Sequence, residues 1–284
     1  MTTSPPDRRF HAANGRVAHA RLRGDVEASA FVQGDIARVC VPVADLCRSP
    51  NGPRDKQLLH GQPVCVLERH AGWAFVQDVV DDYVGYVPQA SVGQIAQPTH
   101  RIGAPLAPIY SAPDIKSAET GFLSFFSEVA LTDDGGAFLQ LSGGGYIART
   151  HIVPFRWYAE DMASVAEMFL GRPYLWGGNS GLGLDCSGLI QLACHARGYS
   201  CPRDSDLQEA SLGRAVAPDA PLRRGDLIFW KGHVGILRDA ETLLHANAYH
   251  MAVAQEPLQT AIDRIGLKEF GAVTAIKRMG DTDE

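Results

Sequence analysis

A cysteine and two histidines in this chain have the residue types and the order that nucleophilic catalysis requires. Cys186 begins an apolar stretch directly after a glycine-rich loop, and His233 and His245 lie downstream in two strand-like runs. A thiol at the start of a helix faces the positive end of the helix dipole, which favours the reactive thiolate. Histidines can act as base and as orienting group, so these residues predict a cysteine peptidase or an acyltransferase.

The two histidines are predicted to meet on adjacent strands. His233 opens the apolar run Val-Gly-Ile-Leu, His245 lies in Leu-Leu-His-Ala, and the residues at 239–241 indicate a hairpin turn between them. In such a hairpin His245 would contact His233 and fix its tautomer, which is the role of aspartate in other triads. The alternative from these residues alone is a buried cysteine with two structural histidines.

The elements around these residues predict an α+β arrangement. Apolar spacing predicts one helix over 157–170 and a second from Cys186 to about Arg197, which Gly198 would end. Strands are then expected at 226–230, 233–238, 243–246 and 272–278. Helices followed by an antiparallel sheet are typical of the α+β class rather than of βαβ folds.

The first half of the chain predicts two small β-barrels. Short strands alternate with turns over 37–92, and a weaker copy follows over 101–155, with strands near 107–110, 128–132 and 137–141. The similar segments Tyr-Val-Gly-Tyr-Val-Pro at 83–88 and Gly-Tyr-Ile-Ala-Arg at 145–149 indicate a tandem repeat. The expected regions are an extension packed on the barrels over 1–34, barrels over 35–95 and 96–155, and a catalytic domain over 156–284.

Composition excludes several classes of partner. The 284 residues are 45% hydrophobic and carry a net charge of -6, without a basic block, so neither nucleic acid nor anionic lipid is expected as a partner. No apolar run approaches the roughly 20 residues that cross a bilayer. The first 16 residues have no apolar segment typical of a secretion signal, and the six cysteines form no CxxC pair. We expect a reduced, cytoplasmic protein without metal or cofactor, in which Cys40, Cys65 and Cys194 are small buried hydrophobes.

Six motifs resemble those of the NlpC-type peptidoglycan cysteine peptidases. In chain order they are Gly171-Arg-Pro-Tyr-Leu-Trp-Gly-Gly, Leu184-Asp-Cys-Ser-Gly-Leu-Ile-Gln, Pro202-Arg-Asp-Ser-Asp-Leu-Gln, Arg224-Gly-Asp-Leu-Ile-Phe-Trp, His233-Val-Gly-Ile and Leu244-His-Ala-Asn. The two barrels look like the bacterial SH3-like domains that often accompany this catalytic domain. The resemblance therefore implies a papain-like α+β domain, with helices packed on an antiparallel sheet, behind two SH3-like barrels.

The resemblance assigns a role to each catalytic position. Cys186 matches the nucleophile, His233 the general base and His245 the third, orienting residue. Tyr174 matches the family tyrosine beside the oxyanion, where a phenol can donate a hydrogen bond. Every catalytic position of the family is occupied by the expected residue type, which implies an active enzyme.

Further residues match the substrate site of the family. Asp185 and Ser187 flank the nucleophile and match residues that line this site, and Trp176 is either a cleft wall or a packing residue. In relatives with SH3-like domains, an aspartate and a serine at the positions of Asp204 and Ser205 hold the free ammonium group of an N-terminal L-Ala. A carboxylate facing an ammonium gives such selectivity, because a blocked amine would leave the charge unpaired. The alternative for Asp204 is a capping role.

The resemblance also implies that the first barrel contributes to substrate binding. In such relatives, a tyrosine of the barrel closes the amino end of the substrate cleft. Tyr83 is the first candidate for this role and Tyr86 the second. The alternative for Tyr83 is a place in the core of the barrel. An acidic loop residue of the barrel also takes part, and both Asp45 and Asp55 are candidates.

The predicted reaction is hydrolysis of the γ-D-Glu–diamino acid bond in a murein tripeptide or tetrapeptide with free L-Ala. This would release L-Ala-D-Glu during cell-wall peptide recycling, as dipeptidyl-peptidase VI does. Three alternatives remain from the sequence: an exported hydrolase of glycan-linked stem peptides, a non-catalytic wall-binding module, and acyl transfer to an amine. The third amino acid of the substrate and the oligomeric state are left open.

Overall fold

The chain forms two compact units, Met1–Phe155 and Arg156–Glu284, in the computed structural model. The structure describes residues 7–133, 135–217 and 219–280. The outermost residues of the predicted extension (1–6) and of the predicted catalytic domain (281–284) lie outside the described residues. Within these ranges, the structure contains no helix with the length and apolar character needed to cross a membrane.

The segment before the first barrel packs on that barrel. Its two short strands, β1 (Val17–His19) and β2 (Ala30–Val32), pair in parallel. Ala12 from this segment shares a buried cluster with Phe75 and Val84 of the barrel. Removing these apolar side chains from water is what holds the segment against the barrel.

The first barrel is a single antiparallel sheet of seven strands in the order β5-β4-β8-β7-β6-β3-β9. The strands are β3 (Asp35–Val39), β4 (Val43–Cys47), β5 (Arg54–Leu59), β6 (Pro63–His70), β7 (Trp73–Asp78), β8 (Val84–Pro88) and β9 (Val92–Gly93). Side chains alternate between the two faces of a strand, and the inward set includes Val39, Leu46, Leu58 and Val76. This alternation is the sequence pattern that predicted the barrel.

The second barrel consists of two antiparallel sheets, β13-β10-β17 and β12-β11-β16-β15-β14. Its strands are β10 (His100–Ile102), β11 (Leu106–Tyr110), β12 (Glu119–Ser124), β13 (Glu128–Val129), β14 (Leu131–Asp133), β15 (Phe138–Leu141), β16 (Tyr146–Ala148) and β17 (Ile152–Pro154). The single strand predicted over 128–132 is wrong, because β13 and β14 pair with different sheets.

The internal repeat is visible in the late strands of both barrels. In each barrel a strand is followed by a single turn of 3₁₀-helix and then by another strand: β8, Gln89–Ser91 and β9 in the first, and β16, Arg149–His151 and β17 in the second. The two similar sequence segments thus occupy equivalent places.

The second unit contains helices around a six-stranded antiparallel sheet in the order β20-β25-β21-β22-β23-β24. Its strands are β18 (Asn179–Ser180), β19 (Gly183–Leu184), β20 (Arg214–Ala215), β21 (Leu227–Trp230), β22 (His233–Leu237), β23 (Thr242–Asn247), β24 (Ala252–Pro257) and β25 (Ala275–Arg278). The helices of the described residues are α1 (Met162–Glu167), α2 (Cys186–Arg197), α3 (Ser205–Ser211) and α4 (Leu258–Lys268). Helices on an antiparallel sheet place the unit in the α+β class, as predicted.

The predicted second helix is confirmed, whereas the first is shorter than predicted. Helix α2 spans Cys186–Arg197 and ends at Gly198, whose left-handed backbone (φ 90°) suits glycine. Helix α1 begins only after Asp161, whose carboxylate accepts from the amides of Ala163 and Ser164 at 2.9 and 3.1 Å. The sequence interpretation did not include α3, β24 or α4.

Helix α4 lies on the face of the sheet that carries the two histidines. Leu258, Ala261 and Ile265 of α4 pack with Leu243 of β23. Leu243 and His245 are two residues apart on one strand, so their side chains point to the same face. The helix is therefore placed to contact the surroundings of His245.

A cysteine–histidine candidate active site

The predicted nucleophile lies at the first position of a 12-residue helix. Asp185 is the N-cap of α2, with extended backbone (φ -95°, ψ 178°), and Cys186 follows it. Burial raises the pKa of the Cys186 thiol to about 12, and the negative charge of Asp185 acts in the same direction, while the amides of Val234 and Ser187 oppose it only in part. Burial thus opposes the effect of the helix end, which was expected to favour a thiolate, and it favours the neutral thiol.

Asp185 is a structural anchor of the nucleophile loop. Its carboxylate accepts from the amides of Gly177 (2.8 Å) and Gly188 (2.7 Å). It also receives both terminal nitrogens of Arg203, at 2.9 and 2.8 Å. These bonds give the buried carboxylate a structural role, and the place of Asp185 in the lining of the substrate site stays a prediction.

Ser187 is committed to the same network. Its hydroxyl accepts from Nη1 of Arg203 at 2.7 Å and donates to Asp185 at 3.3 Å, and its carbonyl accepts from Gln208 at 2.9 Å. The place of Ser187 in the lining of the substrate site stays a prediction. Arg203 is only 1% exposed, and sequence reasoning missed its role, although it lies in the motif with Asp204.

The glycine-rich loop must lie very close to the start of α2. The amide of Gly177, with a left-handed backbone (φ 70°), points at Asp185. A side-chain carbon on Gly188 would collide with the carbonyl oxygen of Gly178, so only glycine fits at the first turn of the helix.

The expected contact between the two histidines is present. Nε2 of His233 and Nδ1 of His245 are 2.8 Å apart, and both side chains are buried. Burial lowers the pKa of His233 to about 3 and that of His245 in the same direction, so both imidazoles are neutral. The ring of Phe270 stacks on His233 with centroids 5.3 Å apart.

The thiol and the base lie on elements that meet. The Cys186 thiol interacts with the backbone amide of Val234, the residue after His233 at the start of β22. Because Nε2 of His233 faces His245, the nitrogen left to receive a proton is Nδ1. This order, with a thiol, a base and an orienting imidazole, is the one that general-base activation of a nucleophile requires.

Tyr174 is held beside this centre by backbone bonds on two sides. Its amide donates to the carbonyl of Met251 at 2.9 Å, and the amide of Leu184 donates to Pro173 at 3.1 Å. Burial raises the pKa of the Tyr174 phenol, and the negative charge of Asp185 raises it further. The phenol is therefore a proton donor near the thiol, and its contact with an oxyanion stays a prediction.

A carboxylate that the sequence interpretation missed lies behind His245. Oε1 of Glu256 is 2.9 Å from Nε2 of His245 and 2.5 Å from Nη2 of Arg264. The signal in the sequence was weak, because Glu256 is an acidic residue in a strand whose register with β23 only the folded sheet defines. The ligand atoms of His245, His250 and Glu256 lie within 4.8 Å, but Arg264 already neutralises the carboxylate of this group.

The remaining predicted substrate residues of this unit lie at the surface or at a helix start. Trp176 is 73% exposed, which excludes a role in the core. Asp204 precedes α3, whose first residue is Ser205, and its side chain makes no capping hydrogen bond to this helix. Asp204 therefore occupies the N-cap position of α3 through its backbone, whose carbonyl accepts from the amide of Gln208 at 2.9 Å, and the contact of its side chain with an ammonium group stays a prediction.

The two tyrosine candidates of the first barrel, Tyr83 and Tyr86, both pack against other side chains of the barrel. Tyr83 is 2% exposed and belongs to the barrel core, with the Lys56 ammonium 5.7 Å from its ring. The ring of Tyr86 packs at 4.9 Å from that of Phe75. The core role that the sequence left open for Tyr83 fits its burial, and its contact with substrate stays a prediction.

Both acidic candidates of this barrel are paired with arginines. Asp45 accepts from Arg54 at 3.1 Å, and Asp55 accepts from Arg8 at 2.7 Å and from Arg48 at 3.1 Å. The structure thus gives no preference between Asp45 and Asp55 as a substrate contact.

The cysteines and the cavities of the chain add little to the site. All six thiols are free; Cys65 and Cys194 are buried as expected, whereas Cys40 is only half-buried and donates to the carbonyl of Ala90 at 3.3 Å. A cavity of about 480 Å³ lies within the N-terminal unit and is lined by residues of both barrels, among them His60 and Leu123. It contains no residue of the cysteine–histidine centre.

A buried thiol at a helix start with a hydrogen-bonded pair of histidines is typical of thiol-dependent hydrolases and acyltransferases. Residues 171–264 match the model of the NlpC/P60 family, and residues 46–92 match that of the bacterial dipeptidyl-peptidase Sh3 domain. The chain belongs to the NlpC/P60 family of cysteine peptidases.

Curated relatives cover both the barrel and the peptidase regions. A γ-D-glutamyl-L-lysine dipeptidyl-peptidase of Bacillus subtilis (strain 168) is 32% identical over 212 residues, which are 67% of this chain and 71% of the relative. One of the same name from Bacillus cereus is 29% identical over 239 residues, 72% of this chain and 71% of the relative. Dipeptidyl-peptidase 6 of Lysinibacillus sphaericus is 27% identical over 67% of this chain and 79% of its own length.

A solved structure has the same fold. The crystal structure of an NlpC/P60 family protein from Bacillus cereus ATCC 10987 superposes with a TM-score of 0.73 at 22% identity, covering 86% of this chain and 99% of that chain. At this identity the similarity concerns the fold alone, and the family models place an Sh3 domain before the NlpC/P60 domain in this chain.

Proposed function

We propose that this chain is a cysteine endopeptidase that hydrolyses the bond between γ-D-Glu and a diamino acid in murein peptides with a free N-terminal L-Ala. One observation carries the proposal. The arrangement of Cys186, His233 and His245 occurs in a chain that is similar to γ-D-glutamyl-L-lysine dipeptidyl-peptidases over 67% and 72% of its length. The third amino acid of the substrate is left open between L-lysine and another diamino acid.

The proposed reaction has two steps. Nδ1 of His233 takes the proton of Cys186 while the sulfur attacks the γ-carbonyl carbon of D-Glu, and the phenol of Tyr174 donates to the developing oxyanion. The C–N bond breaks, and the leaving amine takes the proton from His233, which leaves a thioester on Cys186. Water, deprotonated by His233, then attacks the thioester and releases L-Ala-D-Glu with the thiol restored.

The charge states of Cys186 and His233 determine when the proton of the thiol is transferred. Burial raises the pKa of Cys186 to about 12 and lowers that of His233 to about 3, so thiol and imidazole are both neutral at pH 7. The proton therefore transfers during the attack rather than before it, and His233 acts as a general base in the first step.

Selectivity for a free amino terminus is proposed to reside in Asp204 and Ser205. Asp204 is adjacent to Arg203, the residue that anchors the loop before Cys186. Against the effect of burial, the charge and hydrogen bonds of Asp185 raise the pKa of Arg203, and the charge of Asp204 adds to this. A carboxylate at this place can accept hydrogen bonds from an ammonium group, which a neutral amide would not replace. Substrates are then tripeptides or tetrapeptides already released from glycan.

We also propose that the enzyme acts in the cytoplasm on recycled wall peptides. The six free thiols support a reducing compartment, in which the nucleophile stays unmodified. Fractionation of cells that produce the full chain tests the localisation, and recovery outside the cytoplasm would favour the exported wall hydrolase instead.

The test of the reaction uses the full chain, its Cys186→Ala variant and two peptides. L-Ala-γ-D-Glu-L-Lys and its N-acetylated form are incubated with each protein, and products are identified by mass. We expect L-Ala-D-Glu and lysine from the free peptide with the wild-type protein only. Equal cleavage of both peptides would reject recognition of the amine, and cleavage of neither this pair nor a meso-diaminopimelate pair would reject the substrate class. Products joined to an added amine would indicate acyl transfer.

A further inference from the structure

The carboxylate of Glu256 closes a chain of hydrogen bonds that begins at the catalytic base. Nε2 of His233 meets Nδ1 of His245 at 2.8 Å, and Nε2 of His245 meets Oε1 of Glu256 at 2.9 Å. Nη2 of Arg264 donates to the same oxygen. The side chains of Glu256 and Arg264 are 9% and 10% exposed, so water competes little for these bonds.

The charge on Glu256 fixes which nitrogen of His245 carries a proton. Burial would raise the pKa of this carboxyl, but the hydrogen bonds from His245 and Arg264 lower it to about 2, so it is ionised and can only accept. Nε2 of His245 must then be the donor. His245 is neutral, because burial lowers its pKa, and its Nδ1 therefore carries a lone pair.

The proton on His245 in turn fixes the tautomer of His233. Since Nδ1 of His245 accepts, Nε2 of His233 donates to it. A neutral imidazole has one N–H group, so Nδ1 of His233 retains the lone pair that the Cys186 proton requires. Without an acceptor behind His245, nothing prevents both imidazoles from adopting the opposite tautomer, in which Nδ1 of His233 is already protonated.

We propose that Glu256, held in place by Arg264, is a positioning residue that sets both histidines in the tautomer needed for general-base catalysis. This inference rests on the proposed peptidase function, because it assigns His233 the role of the base. Glu256 touches neither the thiol nor His233 in this arrangement and acts through His245.

Arg264 connects the carboxylate of Glu256 to the segment that packs on the ring of His233. Its guanidinium also forms an ion pair with Glu269, and the ring of Tyr249 lies 4.3 Å from it. Glu269 precedes Phe270, whose ring stacks on His233. The charged and titratable groups that act on His245 are Glu256, Arg264, His233 and His250. Arg264 thus orients Glu256 and supports the segment that covers the base.

A purely structural role for Glu256 makes different predictions. As an ion pair between β24 and α4, Glu256 and Arg264 would affect the free energy of unfolding without affecting where the imidazole protons lie. The two roles are separated by a measurement on the histidines that does not depend on activity, which is the nitrogen-15 chemical shift of each ring nitrogen.

The experiment compares Glu256→Leu, Glu256→Met and Glu256→Asp with the control Glu241→Gln, an exposed glutamate in the turn between β22 and β23. In Glu256→Leu we expect kcat for L-Ala-γ-D-Glu-L-Lys to fall by about 10- to 100-fold, the scale of outer groups that orient an active imidazole, with KM changing less than about threefold. The wild-type protein should have protons on Nε2 of His233 and His245, and Glu256→Leu should move the His245 proton to Nδ1. Glu256→Asp should recover part of kcat, and Glu241→Gln should match the wild type.

Different outcomes of this experiment reject the role of Glu256 and the proposed peptidase function. Unchanged imidazole shifts in Glu256→Leu, or an unchanged kcat, would overturn it even if the enzyme cleaves the peptide as proposed. If Glu256→Leu does not fold, Glu256→Met replaces it, because its side chain has a similar length but no oxygen acceptor. Unaltered imidazole shifts in that variant overturn the inference. A wild-type protein that cleaves no murein peptide would reject the proposed function, and the imidazole shifts would still test whether Glu256 sets the tautomers.

Discussion

The guanidinium of Arg203 binds the carboxylate of Asp185 through two parallel hydrogen bonds, of 2.9 and 2.8 Å, directly next to Cys186. Bidentate pairs of this kind fix both distance and orientation. Asp185 simultaneously caps α2 and binds the amide of Gly177, so one buried ion pair determines where Cys186 lies relative to its loop.

Arg203→Met should destabilise the catalytic unit and reduce its activity. The change leaves the buried Asp185 carboxylate with amide donors only, and breaking a buried pair in this way costs about 3 to 5 kcal/mol. Chemical denaturation measures the free energy of unfolding. The control is Arg16→Met, which breaks an exposed pair with Glu68 and should cost about 1 kcal/mol or less. Equal effects of the two substitutions would contradict the anchoring role of Arg203.

The rate of Cys186 alkylation by iodoacetamide should rise about tenfold per pH unit between pH 6 and 9. A thiol with a pKa of about 12 is protonated throughout this range, and the reactive thiolate fraction grows with each unit of pH. Mass spectrometry of the peptide that contains Cys186 gives the rate, with free N-acetylcysteine as the reference. A rate that is constant with pH over this range would indicate a preformed thiolate and contradict the neutral pair.

The stability of the catalytic unit should decrease as the pH falls from 6.5 to 4.5. The unfolded chain binds a proton at His233 near pH 6.5, whereas burial lowers the folded pKa to about 3, so stability is complete above 6.5 and is lost toward 3. His233 alone should account for about 2 kcal/mol over this interval. Chemical denaturation of the wild type and of His233→Gln at both pH values isolates the contribution of His233 to the free energy of unfolding. An equal loss of stability between the two pH values in both proteins would contradict this contribution.

Asp204→Asn should reduce kcat/KM for the free tripeptide by about 10- to 100-fold, the scale of a hydrogen bond to a charged group. The N-acetylated peptide has no ammonium group that could bind Asp204, so the substitution should change its cleavage little. The ratio of the two specificity constants is the measurement, and Asp206→Asn on the exposed side of α3 is the control. A ratio that is the same in the wild type and in Asp204→Asn would remove Asp204 from amine recognition.

Local sequence determined the elements that carry the chemistry. Alternating apolar residues define the barrels, and the helix that begins at Cys186 and ends at Gly198 is specified by a cap, helical spacing and a left-handed glycine. The hairpin of His233 and His245 followed from two apolar runs and a short polar turn. These are near-neighbour patterns, whose physical basis lies within a few residues of chain.

Only the tertiary structure determined the charge states and the hydrogen-bond partners of the site residues. The pKa of Cys186 depends on burial, which outweighs the helix end that its position in the sequence suggests. Asp185 became a structural anchor because Arg203, 18 residues away in the chain, reaches it. Glu256 became a partner of His245 because the register of β23 and β24 places them together. Desolvation and strand register depend on atoms distant in sequence. The sequence therefore predicted Cys186 as the nucleophile, but it could not predict the burial of the thiol or the anchoring of its loop.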